Sequence, residues 1–420
     1  MIETKPRTTV FKQIALVTGA MEMGGIQTLI VRIARNLVSK GERVNLLCSG
    51  GLLIKDLPTS VRVLTYSSWQ DAQSKFAALN GEAGRDGSML IVSFDPTSAS
   101  LASWLMGRSP RGIGDRHITG VFHPRAYFLD GEDRLRFAIN RMILSNFCDD
   151  QIFFMNNECR VTHAKWSWRN FSRSPVLPLG IEIADSRYRT GDENSFIVVS
   201  VGRLVAFKDF NLSIPQIVHD LRKKGLPIEW KIFGAGELKG EIIRRINYFD
   251  VDSFVDVQPE LPYANFAEKV ANHDVFVGMG TAALESAMVG VPTLLAVDRQ
   301  GELSYGFLQD LPFGNVGEQQ DKSPTLRISD LLFDLYSKSA QQRYAIGQQS
   351  RKAALAYSAD DYTKGLLLIG ATSSASKLLR SWIYGMLYHE ATDGLSRGFV
   401  NRAVRAYRRL ALAIPRTGQH

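Results

Sequence analysis

Three cysteines in 420 residues are too few for a disulfide framework, and Cys48, Cys148 and Cys159 show no close metal-ligand spacing. They read as reduced thiols, and no structural metal is indicated. No apolar run reaches the roughly 18 residues that a membrane-spanning helix requires. The opening stretch MIETKPRTTVFKQ is polar and lacks a secretory hydrophobic region, so a cytoplasmic protein is expected. The turn after the first apolar run lacks the G-x-G-x-x-G dinucleotide fingerprint. Nucleic-acid motifs of the usual kinds are missing as well, and no internal repeat is visible.

What is present suits a globular protein, with 45% hydrophobic and 22% charged residues and mean hydropathy of −0.08. A chain this long exceeds one ordinary core, so two domains are expected, 1–184 and 195–375. The polar stretch 184–194 between them reads as a linker. A third region, 376–420, is basic and amphipathic. From Lys377 onward eight Lys/Arg face two acids, which accounts for +6 of the net charge of +8. Basic and aromatic residues on an amphipathic helix suit either an anionic bilayer surface or packing of the apolar side back onto the protein.

Apolar runs at 13–18, 43–48, 61–65, 89–94, 118–122 and 151–155 alternate with helical patterns, which predicts a doubly wound α/β domain. The first run leads into Gly24-Gly25 and a helix from about Ile26 to Ser39. The run at 118–122 ends in His123, at the strand end where open α/β sheets bind ligands. His117 precedes that strand and is expected to be exposed to solvent.

The second half is organised around SFIVVSVGRLVAFKD, 195–209. A buried strand breaks at Gly202 and presents Arg203 and, five residues later, Lys208. Two spaced cations on a glycine turn fit a diphosphate better than a lone carboxylate. A second glycine turn, Gly234-Ala235-Gly236-Glu237, follows the strand at 229–233. A third runs from Gly278 to Thr281 and opens a helix carrying Glu285, which Gly290 and Pro292 terminate. Free N–H groups at such a helix start favour an anionic group. The aromatic, glycine-rich stretch 301–317 is less regular; it reads as interdomain wall and is assigned no chemistry.

Gly202-Arg203-Leu204-Val205-Ala206-Phe207-Lys208 matches a G-R-L-x-x-x-K segment, and LESAMVGVP (284–292) echoes L-E-A-M-A-x-G-x-P. Together they resemble the carboxyl-terminal half of retaining GT-B glycosyltransferases of the family 4 (group 1) type. The resemblance implies two Rossmann-like domains facing across a cleft. It also implies a nucleotide-diphosphate sugar as donor, no resident metal or cofactor, and a saccharide or lipid-linked saccharide as acceptor. Arg203 and Lys208 then hold the diphosphate, Glu285 takes ribose or sugar hydroxyls, and His123 orients acceptor and donor sugar. Gly24, Gly25, Gly202, Gly234, Gly236, Gly280 and Thr281 line the donor site. The family's second glutamate, eight residues before Glu285, falls here on apolar Val277, leaving Thr281 and the turn amides to supply its contact. Exopolysaccharide, capsule or lipopolysaccharide assembly on the inner membrane face is the implied setting. Two alternatives stand beside this reading, a GT-B nucleotide-sugar epimerase and a binding or scaffold protein with a degenerate site.

Overall fold

The computed structural model describes residues 11–83, 88–108, 115–128, 134–167, 169–188 and 195–375. The basic region 376–420, with its expected amphipathic helices, lies outside the described residues.

Among the described residues the first half is built on six strands, β1 (Gln13–Val17), β2 (Val44–Cys48), β3 (Arg62–Thr65), β4 (Met89–Ser93), β5 (Arg116–Val121) and β6 (Ile152–Phe154). All pair in parallel, in the order β3-β2-β1-β4-β5-β6. The second half contains β7 (Phe196–Val201), β8 (Ile228–Phe233), β9 (Val255–Gln258), β10 (Val275–Gly278), β11 (Thr293–Ala296), β12 (Leu303–Phe307) and β13 (Leu326–Arg327). Its order is β13-β12-β11-β10-β7-β8-β9. Five strands repeat the first sheet's winding in parallel, and β12 and β13 are added antiparallel at one edge. The expected α/β fold of two doubly wound sheets is therefore present. The stretch read as irregular contains β12, which pairs antiparallel with β11 and β13 and buries Ser304, Gly306 and Phe307.

Period-two alternation decides which face each strand residue serves. Ile14 and Leu16 of β1 enter an apolar core shared by both halves, whereas Ala15 and Val17 enter a smaller core confined to the first half. In the second sheet Val199, Phe276 and Leu295 join the shared core, while Val198, Val275, Val277 and Leu294 enter one confined to the second half. A continuous apolar floor thus joins the two sheets below the cleft.

The helix Ala359–Thr372 belongs in sequence to the second half but lies in space with the first. Ser358 bridges Ile181 in a parallel pairing, and a Cβ on Gly370 would come within 2.7 Å of Leu90. Arg116 Nε donates to the Ser373 carbonyl at 3.1 Å.

Both sheets reverse winding direction beside their first strand, between β1 and β4 and between β7 and β10. In open α/β sheets ligands bind outside the carboxyl ends of strands at such switch points. The described glycine turns sit there.

Candidate active site

A cavity of about 420 Å³ opens between the halves and is lined from both. Gly24 and Gly25 reach it from the first sheet, at the start of the helix Gly25–Ser39; Gly280 and Thr281 reach it from the second, at the start of the helix Thr281–Met288. The two turns touch: a Cβ on Gly25 would lie 3.1 Å from Thr281 Oγ1. Neither helix start has a side-chain cap, so two sets of first-turn N–H groups are available at one wall of the cavity. Gly280 has a φ of 73° and donates its N–H to the Val316 carbonyl at 2.8 Å.

The cations stand on the turn after β7. Gly202, with φ of 144°, donates to the Phe233 carbonyl at 2.9 Å. A Cβ there would come within 2.7 Å of Lys208 Nζ, so the bare glycine lets the ammonium lie over the turn. Arg203 is exposed and Lys208 half-buried, and both line the cavity. Burial, and then the neighbouring Arg203 guanidinium, pull the Lys208 pKa down to about 8. Two like charges held together in this way are a preformed demand for an anion.

Gly234 and Gly236 serve this turn as a buttress. A Cβ on Gly234 would lie 2.0 Å from the Gly202 carbonyl oxygen, and one on Gly236 would lie 2.3 Å from the Leu204 oxygen. Leu204 N–H donates to Ala235 O at 2.9 Å, and Leu238 N–H to Leu204 O at 3.0 Å. Gly234 also lines the cavity, whereas the contacts of Gly236 are with the backbone behind it.

Glu285 faces the cavity, but its carboxylate is engaged. Arg32, fully buried on the helix Gly25–Ser39, places Nη2 3.0 Å from Glu285 Oε1. The same guanidinium donates to Gly180 O at 2.9 Å, Thr28 Oγ1 at 2.9 Å and Tyr263 Oη at 3.0 Å. Burial pushes the Glu285 carboxyl upward against the pull of Arg32. For Arg32, burial works downward, yet the facing Glu285 and Tyr263 leave its pKa raised, so the guanidinium stays charged. This polar joint between the halves was not foreseen. Its one trace in the sequence is an arginine set inside the apolar spacing Leu29, Ile30, Ile33, Leu37.

His123 lines the cavity at the end of β5, as expected, and its Nδ1 accepts the Arg125 N–H at 3.1 Å. A neutral ring therefore carries its proton on Nε2, which lies 3.9 Å from Asp298 Oδ2 across the cleft. Phe207, from the cation turn, packs edge-on against the ring at 4.9 Å. His117, by contrast, is buried within β5 rather than exposed. Its Nε2 is 2.9 Å from Ser93 Oγ, and Phe147 packs edge-on against it.

Val277 is buried, and its side chain belongs to the core on the side of the sheet away from the first half. A carboxylate at that position would enter apolar packing instead of the cleft. Four further charged residues line the cavity without having been anticipated, Arg125, Glu260, Arg299 and Glu318. Among the described residues no cluster of three or more His, Cys, Asp or Glu could hold a metal ion. The Asp250-Val251-Asp252 triplet follows the helix Lys239–Phe249 and precedes β9, at the amino ends of the strands and away from the cavity. Among the described residues no helix is long and apolar enough to cross a membrane.

No protein-family model matches the chain, and no curated protein matches it. Solved structures do. The fold is that of the GT-B glycosyltransferases. WaaG, a glycosyltransferase involved in lipopolysaccharide biosynthesis, is similar over 86% of this chain and 100% of its own, with 14% identity and a TM-score of 0.56. Sucrose-phosphate synthase from Thermosynechococcus elongatus is similar over 84% and 97%, with 13% identity and a TM-score of 0.62. S. aureus TarM, solved with fondaparinux, alpha-GlcNAc-glycerol and UDP, matches 72% of this chain with 12% identity and a TM-score of 0.53. The present chain spans 59% of the TarM chain. At these identities the likeness is one of fold.

Proposed function

We propose that the protein is a glycosyltransferase that moves a sugar from a nucleotide-diphosphate sugar to a saccharide or lipid-linked saccharide acceptor. One observation carries this reading: Arg203, Lys208 and two uncapped helix starts converge on a single cavity between the sheets. Breaking the bond between an anomeric carbon and a phosphate oxygen leaves an oxocarbenium-like sugar and a diphosphate gaining negative charge. Cations and N–H donors fixed in advance at the diphosphate stabilise that charge without reorganising. Arg203 and Lys208 do this from the turn after β7, and the amides at Gly25 and Thr281 complete the cradle. Glu285, steadied by Arg32, accepts from ribose or sugar hydroxyls, and His123 orients the sugar and the acceptor.

The cations supply the neutralisation for which other transferases use a metal, so activity is expected to persist in chelator. The anomeric configuration is retained through same-face attack assisted by the leaving phosphate, and no protein nucleophile is assigned. A cytoplasmic location with peripheral attachment through 376–420 fits the charge of that region. Co-sedimentation with anionic vesicles before and after removal of residues 396–420 tests the attachment, and unchanged binding would remove it.

The apolar Val277 favours a second reading, a binding protein that has lost its chemistry. Thermal shift with UDP-, GDP- and ADP-sugars, followed by assay of diphosphate release with and without acceptor, separates the two. Donor-dependent stabilisation with acceptor-dependent release supports the transferase. Stabilisation without release supports the binding protein, and conversion of one nucleotide sugar to another without acceptor indicates an epimerase.

A further inference from the structure

Glu318 is 4% exposed, yet its side chain lines the cavity. It ends a short segment that ties together two features of the site. Val316 O accepts the Gly280 N–H at 2.8 Å, and Gly317 O accepts the Asp298 N–H at 2.8 Å. Asp298 is the residue that faces His123 across the cleft. The turn itself is already secured by Asn315, whose Oδ1 accepts the N–H groups of Gly317 and Glu318 at 2.9 and 3.1 Å. Glu318 Oε2 accepts the Val316 N–H at 2.9 Å, and the carboxyl also meets its own backbone N–H; an uncharged amide oxygen would accept both equally well. Holding the turn therefore does not explain a carboxyl here.

The carboxyl is costly where it stands. Burial raises its pKa to about 7 against the pull of the Val316 and Glu318 N–H groups, and the nearby charges of Glu158 and Asp298 are of its own sign. Groups kept in so unfavourable a setting at a cavity wall are characteristic of ligand sites. A polyhydroxylated ligand relieves the cost, because its hydroxyls donate to a carboxylate and accept from a carboxylic acid. Val277 faces the outer core, so β10 offers the cleft no carboxylate of its own.

We propose that Glu318 is a sugar-contacting residue, whose carboxyl binds a hydroxyl of the transferred sugar between the Gly280 turn and the His123–Asp298 contact. This rests on reading the cavity as a nucleotide-sugar site. Glu318 sets selectivity for the sugar, while Arg203 and Lys208 bind the diphosphate whatever sugar it carries.

Calorimetric titration of the full chain tests this, with UDP-glucose, UDP-N-acetylglucosamine and GDP-mannose each compared with the bare UDP or GDP. Glu318→Gln keeps the shape and the acceptor for Val316 N–H, and Glu318→Ala removes both. Both variants are expected to bind the bare diphosphate as the wild type does and to lose about 10–100-fold in affinity for the sugar nucleotide, more in Ala than in Gln. Equal affinities in wild type and both variants, or equal losses for sugar nucleotide and bare diphosphate, would overturn the assignment of Glu318 alone. A wild type that binds none of the diphosphates or sugar nucleotides would overturn the nucleotide-sugar reading beneath it.

Discussion

The two sheets wind in the same order but present different chemistry to the cleft. The first offers backbone amides at Gly24–Gly25, an apolar wall, His123 and the cation Arg125, and its Arg32 charge is sunk beneath the surface against Glu285. The second offers Arg203, Lys208, Glu260, Arg299 and Glu318 from four separate loops, and Glu285 from the helix Thr281–Met288. One architecture thus serves two tasks. Under the proposed function the first half shapes and orients, whereas the second concentrates charge for an anionic ligand. Arg32 shows how the halves are coupled: a cation from the plainer half holds a carboxylate of the charged one.

The largest expected effect breaks that coupling. Replacing Arg32 by Met leaves Glu285 buried without its partner and should cost about 3–5 kcal/mol of stability, measured by denaturant unfolding. The double variant Arg32→Met/Glu285→Met should recover much of the loss. A single variant as stable as the wild type would mean that the Arg32–Glu285 pair contributes nothing to joining the halves.

A smaller effect distinguishes glycines that shape the site from those that only end a helix. Gly234→Ala drives a Cβ against the Gly202 carbonyl, and overpacking of this kind costs about 1–3 kcal/mol. Its ligand affinity should fall as well, because the cation turn is displaced. Gly41, at the end of the helix Gly25–Ser39 with φ of 80° and open space around it, should cost about 1 kcal/mol when changed to Ala and leave binding untouched. Equal binding losses in both variants would erase the distinction.

The smallest effect is a pH dependence peculiar to the second half. Lys208 titrates near 8 in the free protein, so its ammonium is present below that pH and disappears above it. Affinity for UDP or GDP should then weaken by up to about tenfold for each pH unit above 8, until the raised pKa of the complex is reached. Lys208→Met should bind more weakly and lose this slope. A wild-type affinity that is flat from pH 7 to 9.5 would show that the ammonium does not meet the ligand.

Much of this was legible in the residues. Near-continuous apolar runs marked the parallel strands, and glycines marked the turns at their carboxyl ends. The cavity-lining side chains Arg203, Lys208, Glu285 and His123 could be picked out because they lie within a few residues of a recognisable strand end. Arg32, Glu318 and the burial of His117 could not be read in the same way. Arg32 meets Glu285 only because two helices from different halves abut, and Glu318 reaches the cavity through a turn pinned to Gly280 and Asp298. His117 occupies a strand position whose inward direction depends on the pairing of β4 with β5. Each is a property of long-range packing, which local periodicity does not encode. Strand β12 was hidden for a related reason, since its glycine and aromatic residues suggest a loop until β11 and β13 offer partners.

The measurement that bears most directly on the account is a titration of UDP, GDP and their sugars into wild type and a folded Arg203→Ala/Lys208→Ala variant. Loss of two charge-assisted contacts predicts affinity for the diphosphate lower by about 100-fold or more. Undiminished affinity in the double variant would contradict the claim that these two cations receive the ligand's diphosphate.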